Sequence, residues 1–114
     1  ILWDPEQIGE DRIVRVRDLL MDAVGPALMA VDPQHIVNSA MVDARLVAIG
    51  PLDRIRAPLF VTLFARTETD RVAGSATIIE GLTAAVAGAI DASSTVVELV
   101  LTDHHSSFDY VVHE

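Results

Sequence analysis

The chain predicts an α/β fold, α+β in the stricter sense, in which the order β-α-β occurs twice within one domain of 114 residues. Two segments carry apolar residues every three or four positions, the spacing of one helix face. Short runs rich in Val, Leu and Ile flank them and read as strands. The halves also echo each other. "MAVDPQHIV" closes the first helix as "AIDASSTVV" closes the second, at an offset of roughly 60 residues, which divides the domain into pseudo-repeats of about 1–57 and 58–114.

The first strand is Ile1 to Trp3, ended by the turn Asp4-Pro5. A helix is expected from Glu10 to Val31, with Ile13, Val16, Leu20, Val24, Ala27, Leu28 and Val31 on its apolar stripe. Gly25-Pro26 should kink it, and Asp32-Pro33 ends it. A strand is expected from Met41 to Ile49, with Val42, Ala44, Leu46 and Ala48 on one face and Met41, Asp43, Arg45, Val47 and Ile49 on the other. The next strand runs from Leu59 to Arg66. A second helix is expected from Asp70 to Asp91, capped by Thr69 or Asp70, with Ile78, Ile79, Leu82, Ala85, Val86, Ala89 and Ile90 as its stripe. Gly74, Gly81 and Gly88 fall seven apart along it, which points to close backbone approach to a sheet. The last strand is Thr95 to Thr102. Two arrangements satisfy this order: a ferredoxin-like split βαβ sandwich, or a tandem pair of βαβ units.

Composition narrows the partners. The chain is 51% hydrophobic with few aromatics, so Val, Leu, Ile and Ala must build the core. A mean hydropathy of +0.40 fits a subunit with buried interfaces better than a monomer that must cover itself. Net charge is −9, which disfavours nucleic acid and anionic lipid. All eight basic residues are arginine, so every cation here can grip a carboxylate with two parallel hydrogen bonds. There is no cysteine, hence no disulfide framework. No apolar run is long enough for a bilayer span and no signal peptide is visible, so a cytoplasmic setting is expected.

Chemistry-bearing residues are few. "PLFVTLFARTETDR" is a strand, apolar on both faces, that stops on Arg66; a guanidinium beside an apolar wall is a strong carboxylate clamp, and the plain alternative is a surface arginine paired with Glu68 or Asp70. Asp43 and Arg45 share a strand face, the pattern of an ion pair within a sheet. His104-His105 gives no metal reading: adjacent histidines on a strand point apart, and no cysteine or well-spaced carboxylate completes a set. There is no glycine-rich phosphate loop, no Walker pattern and no nucleophile elbow.

The order of features in the second half resembles the tautomerase superfamily, which includes 4-oxalocrotonate tautomerase, malonate semialdehyde decarboxylase and macrophage migration inhibitory factor. An apolar strand ends in the turn Ala65-Arg66-Thr67-Glu68. A helix with the core "LTAAVAGAI", a polar "DASS" link, the strand "VVELVLTD" and the aromatic tail "SSFDYV" follow. In the first half "VDPQHIV" is similar to the family's helix-to-strand link.

The resemblance implies a four-stranded sheet with two helices on one face, a homotrimer with sites near subunit boundaries, and cofactor-free chemistry on a small 2-keto, enol or unsaturated carboxylate. It implies an amino-terminal proline as acid or base. Residue 1 is Ile, and the family's proline is expected just before it, so Ile1 marks the catalytic position without supplying that residue. Pro58 opens the second unit, but its nitrogen is an amide and no base. The resemblance assigns the substrate carboxylate to Arg66, the pocket wall to Phe108 and Tyr110, and a polar contact to His35. The family's second arginine is replaced by Glu68 or Thr69, so a two-arginine clamp needs Arg45, Arg54 or Arg56 of a neighbouring subunit. The alternatives are a tautomerase-like subunit without activity and a ferredoxin-like module binding a small ligand.

Overall fold

The computed structural model describes residues 1–55, 57–91 and 94–103. β1 is Leu2–Trp3. Asp4 turns the chain out of it: its carboxylate accepts from the Glu6 N–H at 2.9 Å and its carbonyl accepts from the Ile8 N–H at 2.9 Å. α1 is Glu10–Val31, with Glu10 and Asp11 in the first turn, where the helix dipole favours acids. Its expected stripe is buried from Ile13 to Leu28, and the helix runs on through Pro26. It stops at Asp32, whose N–H donates to the Leu28 carbonyl.

A link containing one 3-10 turn, Ser39–Met41, leads to β2, Val47–Ala48. The strand expected from Met41 to Ile49 is therefore two residues long. Among the described residues β2 pairs with β1 alone, and β1 offers Leu2 and Trp3, so the ladder ends where its partner ends. The alternation survives without the ladder: Val42, Ala44 and Leu46 turn partly inward while Asp43 and Arg45 stay outward.

β3 is Leu59–Arg66 and β4 is Thr95–Thr102, both with the expected bounds. Between them the single expected helix is two pieces, α2 at Thr69–Ala73 and α3 at Ser75–Val86. Gly74 makes the break with φ −99° and ψ 16°, outside the helical well. The residue in the capping position is Glu68 rather than Thr69 or Asp70, and its side chain makes no capping hydrogen bond.

The result is a small α+β domain with a four-stranded mixed sheet and three helices. The strand order is β2-β1-β3-β4. β1 pairs parallel with β2, β3 pairs parallel with β4, and the two halves meet at the antiparallel β1–β3 contact. α1 and α3 run antiparallel: Gly74 lies against Val31, Gly81 against Ala27, and Arg12 Nε donates to the Ala89 carbonyl at 3.0 Å. So the glycines at 74 and 81 serve helix–helix approach, not approach to the sheet, and Gly88 meets nothing. The core joins Ile13, Val16 and Leu20 of α1 to Ile78, Leu82 and Val86 of α3 and to Leu59 and Val61 of β3. Each such side chain fully buried contributes about 1.5–3 kcal/mol. The opposite sheet face carries Leu2, Val47, Phe60, Phe64, Val96 and Val100, interrupted by Thr62, whose hydroxyl donates to Glu98 at 2.8 Å.

Candidate functional site

Strand lengths create the larger of two candidate features. β3 has eight residues and β1 two, so β3 overhangs the start of β1. Leu2 faces Phe60 and Trp3 faces Leu59, which sets Ile1 across from Val61 and leaves Thr62 to Phe64 beyond it. A cavity of about 330 Å³ opens there. Leu20, Met21 and Val24 of α1 and Leu82 of α3 form its apolar wall, and Asp43, Arg45 and Thr62 supply its polar groups.

The Ile1 amine sits at this cavity and donates to the Arg45 carbonyl at 2.8 Å. Burial, and second the nearby Arg45 guanidinium, hold this amine below the ordinary amino-terminal pKa of 8.0. Both causes act in the same direction, because a cation is disfavoured by low dielectric and by a like charge. The arrangement can hold an anion beside an amine in apolar surroundings. By the same register, a residue placed before Ile1 would stand across from Thr62, which also lines the cavity.

The second feature is a charge network where α1 ends and α2 begins. Asp32, 1% exposed, lies 3.1 Å from Arg71 Nε, an ion pair whose N–H is not aligned as a hydrogen bond. Both Asp32 oxygens lie 2.9 Å from His35 Nδ1. His35 Nε2 lies 3.6 Å from Glu68 Oε1, and the same oxygen lies 3.6 Å from Arg66 Nε. A second nitrogen of Arg71, Nη1, donates to the Arg66 carbonyl at 3.1 Å and ties the end of β3 to α2.

The structure thus brings Ile1 and Arg45 together at the cavity, and Arg66 and His35 together around Glu68. It does not place Arg66 in the cavity lining. In this single chain Arg66 has the plainer arrangement, a largely exposed guanidinium paired with Glu68. Phe108 and Tyr110 lie outside the described residues, as do Arg56, His104 and His105.

Asp32, Arg71 and Thr62 were not among the site residues expected from the sequence. Arg71 had a readable signal: it stands seven and eleven residues before Ile78 and Leu82, on the buried face of the second helix, where a cation needs a partner. Asp32 was legible as a helix stop but not as that partner, 39 residues distant. Thr62 becomes polar lining only through the overhang of β3.

Compared with protein-family models, curated proteins and solved structures, the chain matches none.

Proposed function

We propose that this chain is a cofactor-independent enzyme of tautomerase type, acting on a small 2-keto, enol or unsaturated carboxylate. One observation carries the reading: at the start of β1 an apolar cavity opens with Asp43, Arg45 and Thr62 as its polar groups, the place where the resemblance expects an amino-terminal amine. An amino-terminal amine in such surroundings, where burial and a nearby cation disfavour its charged form, is a competent base. It takes a proton from the carbon next to a substrate carbonyl, the electron pair forms the carbon–carbon double bond of the enol, and the carbonyl oxygen is protonated from solvent. Arg45 holds the carboxylate so that this carbon lies by the nitrogen. If the expected proline precedes Ile1, the register carries its nitrogen over Thr62 and the same cavity. Hydration or decarboxylation of a related acid uses the same groups.

The strand pairing supports the tandem arrangement that the resemblance implies. Within each half the two strands are direct neighbours, whereas a split βαβ fold seats a strand of the other half between them. That weighs against the ferredoxin-like alternative. In a ring of three such subunits, Arg66 at the end of β3 is the cation that extends toward a neighbour's cavity.

The test is an ultraviolet assay of phenylpyruvate and 2-hydroxymuconate isomerisation, with the intact mass defining the amino-terminal residue. Activity is expected to fall on the acid side as the amine gains a proton, at a pH below that of an ordinary amino terminus. Carbamylation of the amine should abolish it, and Arg45→Ala, which removes a charged hydrogen-bond partner of the substrate, should reduce kcat/KM by about 10- to 100-fold. No turnover of either acid by a chain with its native amino terminus would leave the inactive-subunit reading in place.

A further inference from the structure

We propose that the cavity between β1, β3 and the two long helices takes a monocarboxylate with an apolar body, Arg45 holding the carboxylate, the helix wall taking the body and Asp43 excluding a second anion. It rests on the reading of this cavity as the substrate site and narrows the substrate. Among the described residues that line the cavity, Arg45 is the one cationic side chain and Asp43 the one anionic side chain. Both point outward from the link before β2, yet neither is in an ion pair among the described residues. Other arginines differ: Arg17, Arg66 and Arg71 each lie near a carboxylate, at 2.9, 3.6 and 3.1 Å respectively. Arg45 thus brings a guanidinium without a carboxylate partner to the mouth of an apolar hollow, and a planar carboxylate matches that fork. Phosphate matches it too, but carries close to two negative charges toward Asp43 where a carboxylate carries one.

The inner wall sets the rest of the ligand. Leu20 and Val24 of α1 and Leu82 of α3 are buried members of the core, so this wall is formed before any ligand arrives. Met21 completes it with an unbranched side chain that adapts to the shape against it. Such a hollow gains by exchanging water for carbon and heavily penalises a buried charge. Its volume of about 330 Å³ has room for roughly ten atoms, at the ~30 Å³ that one water occupies in the liquid. An acid as small as acetate leaves most of that space unfilled. A dicarboxylate long enough to fill it must set its second charge against the wall or beside Asp43, or stay in water and give up the apolar contact. An aryl or medium-chain acid with one carboxylate meets none of these costs.

Phenylacetate, adipate and acetate are the probes: the first two are matched in size, and the third has the charge without the body. Each is titrated into the full chain and followed by nitrogen-15 and methyl carbon-13 NMR. Phenylacetate should bind about tenfold or more tightly than either of the others, with the largest methyl shifts at Leu20, Met21, Val24 and Leu82. Arg45→Ala should weaken phenylacetate by about tenfold. Asp43→Asn should narrow the gap between phenylacetate and adipate by up to about fivefold, the size of one exposed charge pair. Met21→Gln sets a polar group on the wall and should weaken phenylacetate while leaving acetate where it was. Phenylacetate bound no more tightly than adipate or acetate, or bound without shifts at the wall methyls, overturns the proposal. So does an Arg45→Ala chain that binds phenylacetate as the parent does. Phenylacetate held at this wall without turnover of phenylpyruvate removes the enzyme and keeps the ligand class. A higher kcat/KM for 2-hydroxymuconate, a dicarboxylate, than for phenylpyruvate keeps the enzyme and removes the ligand class.

Discussion

Asp32 and Arg71 show how charge is carried into an apolar interior. They are the buried charged side chains among the described residues, at 1% and 5% exposure. Each ion removed from water is costly, and what offsets the cost is geometry: Asp32 meets Arg71 on one side and His35 on the other, and Arg71 donates onward to the Arg66 carbonyl. Removing one partner leaves the other buried without full compensation. Arg71→Met is therefore expected to destabilise the fold by about 3–5 kcal/mol, read as a lower urea midpoint at unchanged slope. The double variant Asp32→Asn, Arg71→Met should recover much of the loss, because no unpaired charge remains. A single variant as stable as the double would show that burial of the pair carries no such penalty. The residue scale is also where the sequence was least readable. Arg45 could be placed on an outward strand face from the alternation of Val42, Ala44 and Leu46, but its meeting with the Ile1 amine depends on where β1 stops. Arg66 could be placed at a strand end, yet its neighbours His35 and Glu68 are brought together by tertiary packing that no local spacing encodes.

At the scale of elements, β3 and β4 were legible to the residue because each is a continuous apolar or alternating run bounded by a proline or a polar residue, Pro58 and Thr67 for β3, Ser94 and Asp103 for β4, and each pairs with the other along its whole length. α1 was legible because one stripe persists from Ile13 to Leu28. The failures have one cause, which is that a partner rather than the segment set the bounds. β2 was cut short by β1. The second helix was broken where Gly74 lets α1 come close: a Cβ built at Gly74 would lie 2.5 Å from Val31 Cγ1 and 2.6 Å from its Cβ. Gly74→Ala is accordingly expected to cost about 1–3 kcal/mol as the helices are forced apart. Gly88 is the internal control. Its Cβ would meet nothing within 4 Å and its φ is not positive. Gly88→Ala should be neutral or add up to about 1 kcal/mol by reducing the freedom of the unfolded chain. Thermal melts of the two variants should shift in opposite directions or leave Gly88→Ala in place, and equal losses at both positions would remove helix–helix approach as the reason for Gly74.

The whole molecule leaves one sheet face without a layer on it among the described residues. α1 and α3 pack on the face of Leu59 and Val61, and the other face presents Phe64 at 58%, Val96 at 42%, Val47 at 39% and Val100 at 37% exposure. A sheet normally buries at least one face and tolerates water on the other when that face is polar. Here it is mostly apolar, broken by the hydrogen-bonded pair Thr62 and Glu98. Contiguous apolar surface of this kind marks association. β2 and β4 are the outer strands of the described sheet, and outer strands are where copies extend one another by pairing. The threefold ring proposed above would cover both features. Light scattering is expected to give three times the 12.3 kDa chain mass. Phe64→Glu, on the exposed apolar face, should shift the particle toward monomer while the helical circular dichroism of α1 and α3 persists, because that side chain is not part of the helix-packed core. If the assembly is also what completes the site, turnover per chain should fall with dilution of Phe64→Glu and stay constant for the parent across the same range. A parent that scatters as a monomer or dimer at every concentration would separate the cavity chemistry at Ile1 and Arg45, which one chain contains, from the ring that brings in Arg66.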